Sequence, residues 1–170
     1  MVLFLQPTSG EGSGCQIMVL EGFFPYRFAV AAELFSAQLT EVYGREFGLS
    51  REEWRLLFLL QQEPEVSSID LSRRATLSKV QISRASQKLE EKGLISRRVG
   101  DEDKRLRTYQ ATDQGRALFQ KILPKIEARV DGVLGKLAPE DFEALDRGIR
   151  ALVNSMITDS SAPMRKLTDP

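Results

Sequence analysis

The chain has 170 residues, 42% of them hydrophobic, with 24 Lys/Arg against 24 Asp/Glu, one cysteine and no histidine. That length suits one ordinary domain, and that composition supports a core and argues against wholesale disorder. With no histidine, a single cysteine and no Gly-rich phosphate loop, Ser-His-Asp and Cys-His triads and cysteine zinc sites are excluded; no catalytic residue, metal or cofactor is expected.

No apolar run approaches the roughly 18 residues that a membrane span needs, so none is expected. Residues 1–5 are apolar but lack a basic flank and run into Pro7 and glycines, a poor signal peptide; a cytoplasmic location is the default. The zero net charge hides an asymmetry. Residues 71–110 hold eleven Lys/Arg and five Asp/Glu, and the rest of the chain holds 13 and 19. A basic middle between acidic flanks points to a polyanion-binding module carried by the rest of the chain, the alternative being a solvated basic face.

In chain order, residues 1–17 are rich in Gly and Ser without a period and read as a flexible tail; Met18 opens onto the first organised segment and is a candidate start. Residues 23–47 carry Phe28, Ala31, Phe35, Leu39 and Val42 at helical steps, a narrow stripe that packs helix on helix, and Gly48 ends it. Ser50 with Glu53 forms a capping box for a second helix bearing Trp54, Leu57, Phe58 and Leu60, which Pro64 breaks. A short helix over 68–74 has Ile69 and Leu71 as apolar anchors. Ser78 caps the next, with Ile82, Ala85 and Leu89 inward and Gly93 at its end. Two short helices, a tight turn and a polar outer face make a helix-turn-helix pattern. ISRRV and LRTYQAT are strand-like, and a hairpin placed directly after a helix-turn-helix reads as a wing, tipped by Asp101-Glu102-Asp103-Lys104-Arg105. Thr112 caps a long helix over 113–137 with Leu118, Ile122, Ile126, Val130, Leu134 and Leu137, in which Pro124 should introduce a bend. Pro139 and acids open a last helix with Phe142, Leu145, Ile149, Leu152 and Met156, followed by a loose tail over 159–170.

This order resembles the MarR family of winged-helix transcription regulators over residues 23–157. The family's Asp-x-Arg wing tip is matched by Asp103-Lys104-Arg105, and its Leu-Thr-x-x-Gly opening of the fifth helix by Ala111-Thr112-Asp113-Gln114-Gly115, with Ala111 a departure that concerns packing. Leu89-Glu90-Glu91-Lys92-Gly93-Leu94-Ile95 matches the family's exit from its recognition helix. The resemblance implies a mainly α fold with a small β-hairpin: about six helices, with a winged helix-turn-helix DNA-binding lobe over 50–111 and dimerisation helices over 23–47 and 112–158, all within one domain over 18–158.

Major-groove readout needs side chains near the start of a helix that reach base edges, and Lys79, Val80, Gln81 and Arg84 occupy that place. Gln81 suits adenine, Arg84 guanine or a phosphate, and Val80 a thymine methyl. Ser78, Ser83 and Lys88 suit phosphates, which orient without specifying sequence. A lone arginine on a thin hairpin fits a narrow, negative minor groove. The family implies Arg105 for this, oriented by Asp103 through a charge-assisted hydrogen bond, with Arg97, Arg98 and Arg107 as flanking phosphate contacts. The bland alternative is a surface ion-pair cluster worth at most about 1 kcal/mol.

The family forms homodimers that read pseudo-palindromic double-stranded DNA, and the narrow stripes on the outer helices fit such an interface; a monomeric core is the alternative. Family members also commonly bind small aromatic or anionic effectors. Here Tyr26, Arg27, Trp54 and Arg55 place aromatics beside arginines and form a candidate pocket. The expected function is a dimeric, sequence-specific DNA-binding regulator, a repressor released by a small ligand. Two alternatives stand beside it: a winged-helix module for protein–protein assembly, and a redox sensor using Cys15, which has no cationic neighbour in sequence to lower its pKa.

Overall fold

The computed structural model describes residues 22–99 and 107–159. Six helices and three strands follow in the order α1 (Phe24–Arg45), α2 (Arg51–Leu59), β1 (Val66–Ser67), α3 (Ser68–Arg74), α4 (Lys79–Glu91), β2 (Ile95–Val99), β3 (Arg107–Ala111), α5 (Asp113–Leu134) and α6 (Pro139–Asp159). The chain divides into two compact units, the second beginning at Ser36. The first contributes the opening turns of α1, where Phe24 and Phe28 stack at 6.2 Å between ring centroids and Phe24, Tyr26, Phe28, Val30 and Leu34 are exposed. Of the stripe expected on this helix, only Val42 is buried in the chain, beside Tyr43, which the pattern had not singled out.

In the second unit the helix starts follow the local chemistry. Ser50 Oγ accepts the Glu53 N–H at 3.2 Å, and the Glu53 carboxylate accepts the Ser50 N–H at 2.6 Å. Ser78 and Gln81 repeat this reciprocal box at α4, and Thr112 caps α5. Each cap satisfies N–H groups that a helix start leaves without partners. The interior is one cluster drawn from α1, α2, α3, α4, all three strands and α5. At its edge Trp54 stacks with the rings of Tyr43 and Phe119, at 5.6 and 5.3 Å, with Phe58 edge-on to both Trp54 and Phe119.

Some expectations are corrected. Ile69 is half exposed rather than an anchor; Leu71 alone fills that role on α3. The hairpin gains a third strand, because Val66 pairs with Tyr109 and Ser67 with Thr108, giving the order β1-β3-β2. Two residues are too short to show the period-two alternation by which a strand is read. Helix α5, with Pro124 inside it, ends at Leu134 rather than Leu137, and it buries Phe119, which lay off the expected stripe.

The Glu53 carboxylate does more than cap. It is 2% exposed and also accepts Lys92 Nζ at 3.0 and 3.1 Å, while Lys92 donates to the Gly48 carbonyl at 2.8 Å. The end of α4 is thus fastened to the start of α2. Removing one partner of a buried pair leaves a charge without compensation. Lys92→Met is expected to lower unfolding free energy by about 2 kcal/mol, less than for a fully buried pair because Lys92 is partly solvated. A urea midpoint equal to the wild type's would show that the pair contributes nothing.

Candidate nucleic-acid interface

Helix α4 buries Ile82, Ala85, Ser86 and Leu89 and turns Lys79, Val80, Gln81, Ser83, Arg84, Gln87 and Lys88 to solvent. It stands between two clefts. One, of about 410 Å³, lies towards the start of α2 and is lined by Ser50, Glu52, Gln81, Arg84, Lys88 and Glu91 among others. The second, of about 590 Å³, lies between α3, α4 and β3 and brings together Arg73, Lys79, Arg107 and the hydroxyls of Ser68, Ser72 and Ser83. No acid among the described residues lines the second cleft, and three of its described lining residues are cationic. A helix raised between grooves, with short and cationic side chains on its crest, has the shape that enters a major groove.

One of the expected base-reading groups has work within the protein. Gln81 Oε1 accepts the Ser78 N–H at 2.9 Å, so its side chain folds back as part of the cap. Bidentate pairing with adenine would take it out of that bond. Among the described residues Arg84 and Lys79 have no such local engagement, and both lie exposed on the crest. Val80 is exposed at 58%, an uncommon place for a β-branched apolar side chain.

The sheet register sorts the hairpin arginines. Arg97 pairs with Tyr109 and Arg98 with Thr108, so successive side chains alternate between faces. Arg97 is on the helix-facing side and meets Glu90 of α4 at 3.4 Å. Arg107 shares that side with Tyr109 and lines the positive cleft. Arg98 is exposed on the other face. Asp103 and Arg105, at the wing tip, lie outside the described residues, as does Cys15. Arg73 and Ser72 escaped the sequence reading. The signal that finds them is positional, since the first helix of a helix-turn-helix crosses the DNA backbone.

Of the expected pocket, Trp54 and Arg55 line a cleft of about 290 Å³ with Tyr43, Phe58, Arg51 and Arg74. Trp54 stacks with two other rings and is only 8% exposed, so little of its surface is open to a guest. Tyr26 and Arg27 are exposed in the first turns of α1. Groups of three or more His, Cys, Asp or Glu able to hold a metal are absent among the described residues, as are helices long and apolar enough to cross a membrane.

Helix, turn, crest helix and hairpin in this order, over one shared core, define a winged helix-turn-helix protein. The MarR family model matches residues 49–106, the span from the start of α2 into the wing. The HTH-type transcriptional regulator YdgJ of Bacillus subtilis is 31% identical over 111 residues, covering 63% of this chain and 68% of that protein. The fold is shared with Sco3205, a MarR family transcriptional regulator from Streptomyces coelicolor solved in complex with DNA (TM-score 0.71, 23% identity, 81% of this chain and 88% of that one). It is shared too with BpsR of Bordetella bronchiseptica, whose structure concerns regulation of DNA binding by 6-hydroxynicotinic acid (TM-score 0.70, 17% identity, 78% and 94%). The chain belongs to the MarR family and is a DNA-binding transcriptional regulator.

Proposed function

We propose that this regulator is a homodimer that reads a pseudo-palindromic operator, represses by occupying it, and is released by a small aromatic or anionic effector. The observation that carries the DNA reading is the crest of α4, with Lys79, Val80 and Arg84 exposed above a basic cleft. In this reading Arg84 and Val80 meet base edges, and Gln81 does so on leaving its cap. Ser78, Ser83, Lys88, Arg97, Arg98 and Arg107 hold phosphates, as does Arg73, and Arg105, oriented by Asp103, enters the minor groove.

Dimer formation is supported by apolar side chains left in water. On α6, Phe142, Leu145, Ile149 and Met156 are each more than a third exposed, and no residue of α6 whose side chain is described is buried. Two copies then place two α4 helices about one DNA turn apart, roughly 34 Å. An effector is supported by the arginine-rich cleft beside Trp54, which is of a size for a small ring with one acid group. BpsR, whose structure concerns regulation of DNA binding by 6-hydroxynicotinic acid, is a precedent on the same fold.

The test is fluorescence anisotropy at two salt concentrations, using a duplex enriched from a random pool by the wild-type protein. Arg84→Ala is expected to weaken binding by about 10- to 100-fold, and Arg105→Ala by several-fold, with melting temperatures unchanged. Wild-type affinity in both variants would remove α4 and the wing from DNA readout.

A further inference from the structure

The turn joining α3 to α4 contains Thr76 at φ +51°, the one non-glycine residue in the left-handed region among the described residues. A β-branched residue is strained there, and helix-turn-helix turns often place glycine instead. Thr76 is therefore held by something outside the turn. Arg55 of α2, twenty-one residues before Thr76, donates from Nη1 to the Ala75 carbonyl at 3.1 Å and to Thr76 Oγ1 at 2.9 Å. The Thr76 hydroxyl donates to the same Ala75 carbonyl at 2.7 Å, and Ala75 is fully buried. Beside it, Arg74 is bound to Glu63 and Gln62 just after α2. Two residues beyond Thr76, Ser78 caps α4.

We propose that Arg55 is a positioning residue for DNA readout: it holds the strained Thr76 turn and so sets the angle at which α4 meets the groove. The inference rests on the reading of α4 as the base-contacting helix. Arg55 is half-buried, off the crest of α4, and acts through the turn. Base-edge hydrogen bonds need donors placed to fractions of an ångström, whereas phosphate attraction tolerates displacement. Loss of Arg55 therefore falls on selective binding and spares the rest.

The experiment compares a duplex enriched by the wild type with a scrambled one of the same composition. Arg55→Met, which keeps the stem and removes the donors, is expected to lower affinity for the enriched duplex about tenfold, a strain-sized effect. Affinity for the scrambled duplex stays within about twofold, since that binding rests on phosphate charge. Thr76→Gly removes the Cβ penalty. In that background Arg55→Met should cost under about threefold, because the turn no longer needs holding. Arg55→Gln, a milder change that also cannot reach Ala75, carries the same comparison if the methionine variant does not fold. Equal losses on both duplexes would mark a structural role only and overturn the proposal. An unchanged ratio, or a full tenfold loss in the Thr76→Gly background, would overturn it as well. A wild-type protein that enriches no duplex would remove the reading of α4 beneath it, and the inference with it.

Discussion

Replacing Gly115 by alanine is expected to lower unfolding free energy by at least about 3 kcal/mol, although Gly→Ala inside a helix ordinarily stabilises by about 1 kcal/mol. The reason is a close approach of backbone. A Cβ built at Gly115 would lie 2.0 Å from the Leu94 carbonyl oxygen and 2.9 Å from its carbon. Neither atom can give way, because the same carbonyl accepts the Thr112 N–H at 3.1 Å. Thr112 Oγ1 in turn donates to the Gly93 carbonyl at 2.7 Å and accepts the Gly115 N–H at 3.1 Å. The start of α5 is thus sewn to the end of α4, and Gly115 is the residue without a side chain at the seam. Gly132, on the same helix, is the control: a Cβ there meets nothing within 4 Å, so Gly132→Ala should stabilise by up to about 1 kcal/mol. Urea unfolding of both variants measures the pair. Equal signs would show that the seam relaxes freely.

The second large effect concerns α6. Leu145→Glu with Ile149→Glu puts two charges into its exposed apolar stripe. In a monomer this would be nearly neutral, since both side chains already face water. In a dimer it buries unpaired charge, at several kcal/mol. The double variant is expected to sediment as a monomer. Its affinity for the enriched duplex is expected to fall by more than about 100-fold, because two linked half-site contacts become independent ones. A double variant that remains dimeric with wild-type affinity would place the interface elsewhere.

The motifs that reveal the family from sequence have different physical origins. The Thr-x-x-Gly segment at the start of α5 concerns the seam and not DNA. The Lys92 in Glu-Lys-Gly serves the buried Glu53, and Gly93 adopts φ +69° as the chain leaves α4. Much of what looks like a DNA-binding signature is therefore the fastening that holds α4 in place.

The sequence by itself determined where helices begin and in what order elements come. Ser50, Ser78 and Thr112 each satisfy N–H groups within three residues, and Ile82, Ala85 and Leu89 recur within one helix, so both signals are complete locally. The exposed crest of α4 was legible for the same reason. Tertiary structure decided what depends on distant partners. Glu53 meets Lys92 across 39 residues, and Arg55 meets Ala75 across 20. Val66 becomes a strand only because Tyr109 lies beside it, and Trp54 stacks with both Tyr43 and Phe119. A periodic pattern states which face of an element is apolar, but the identity of the group that covers it is fixed only when the chain closes on itself.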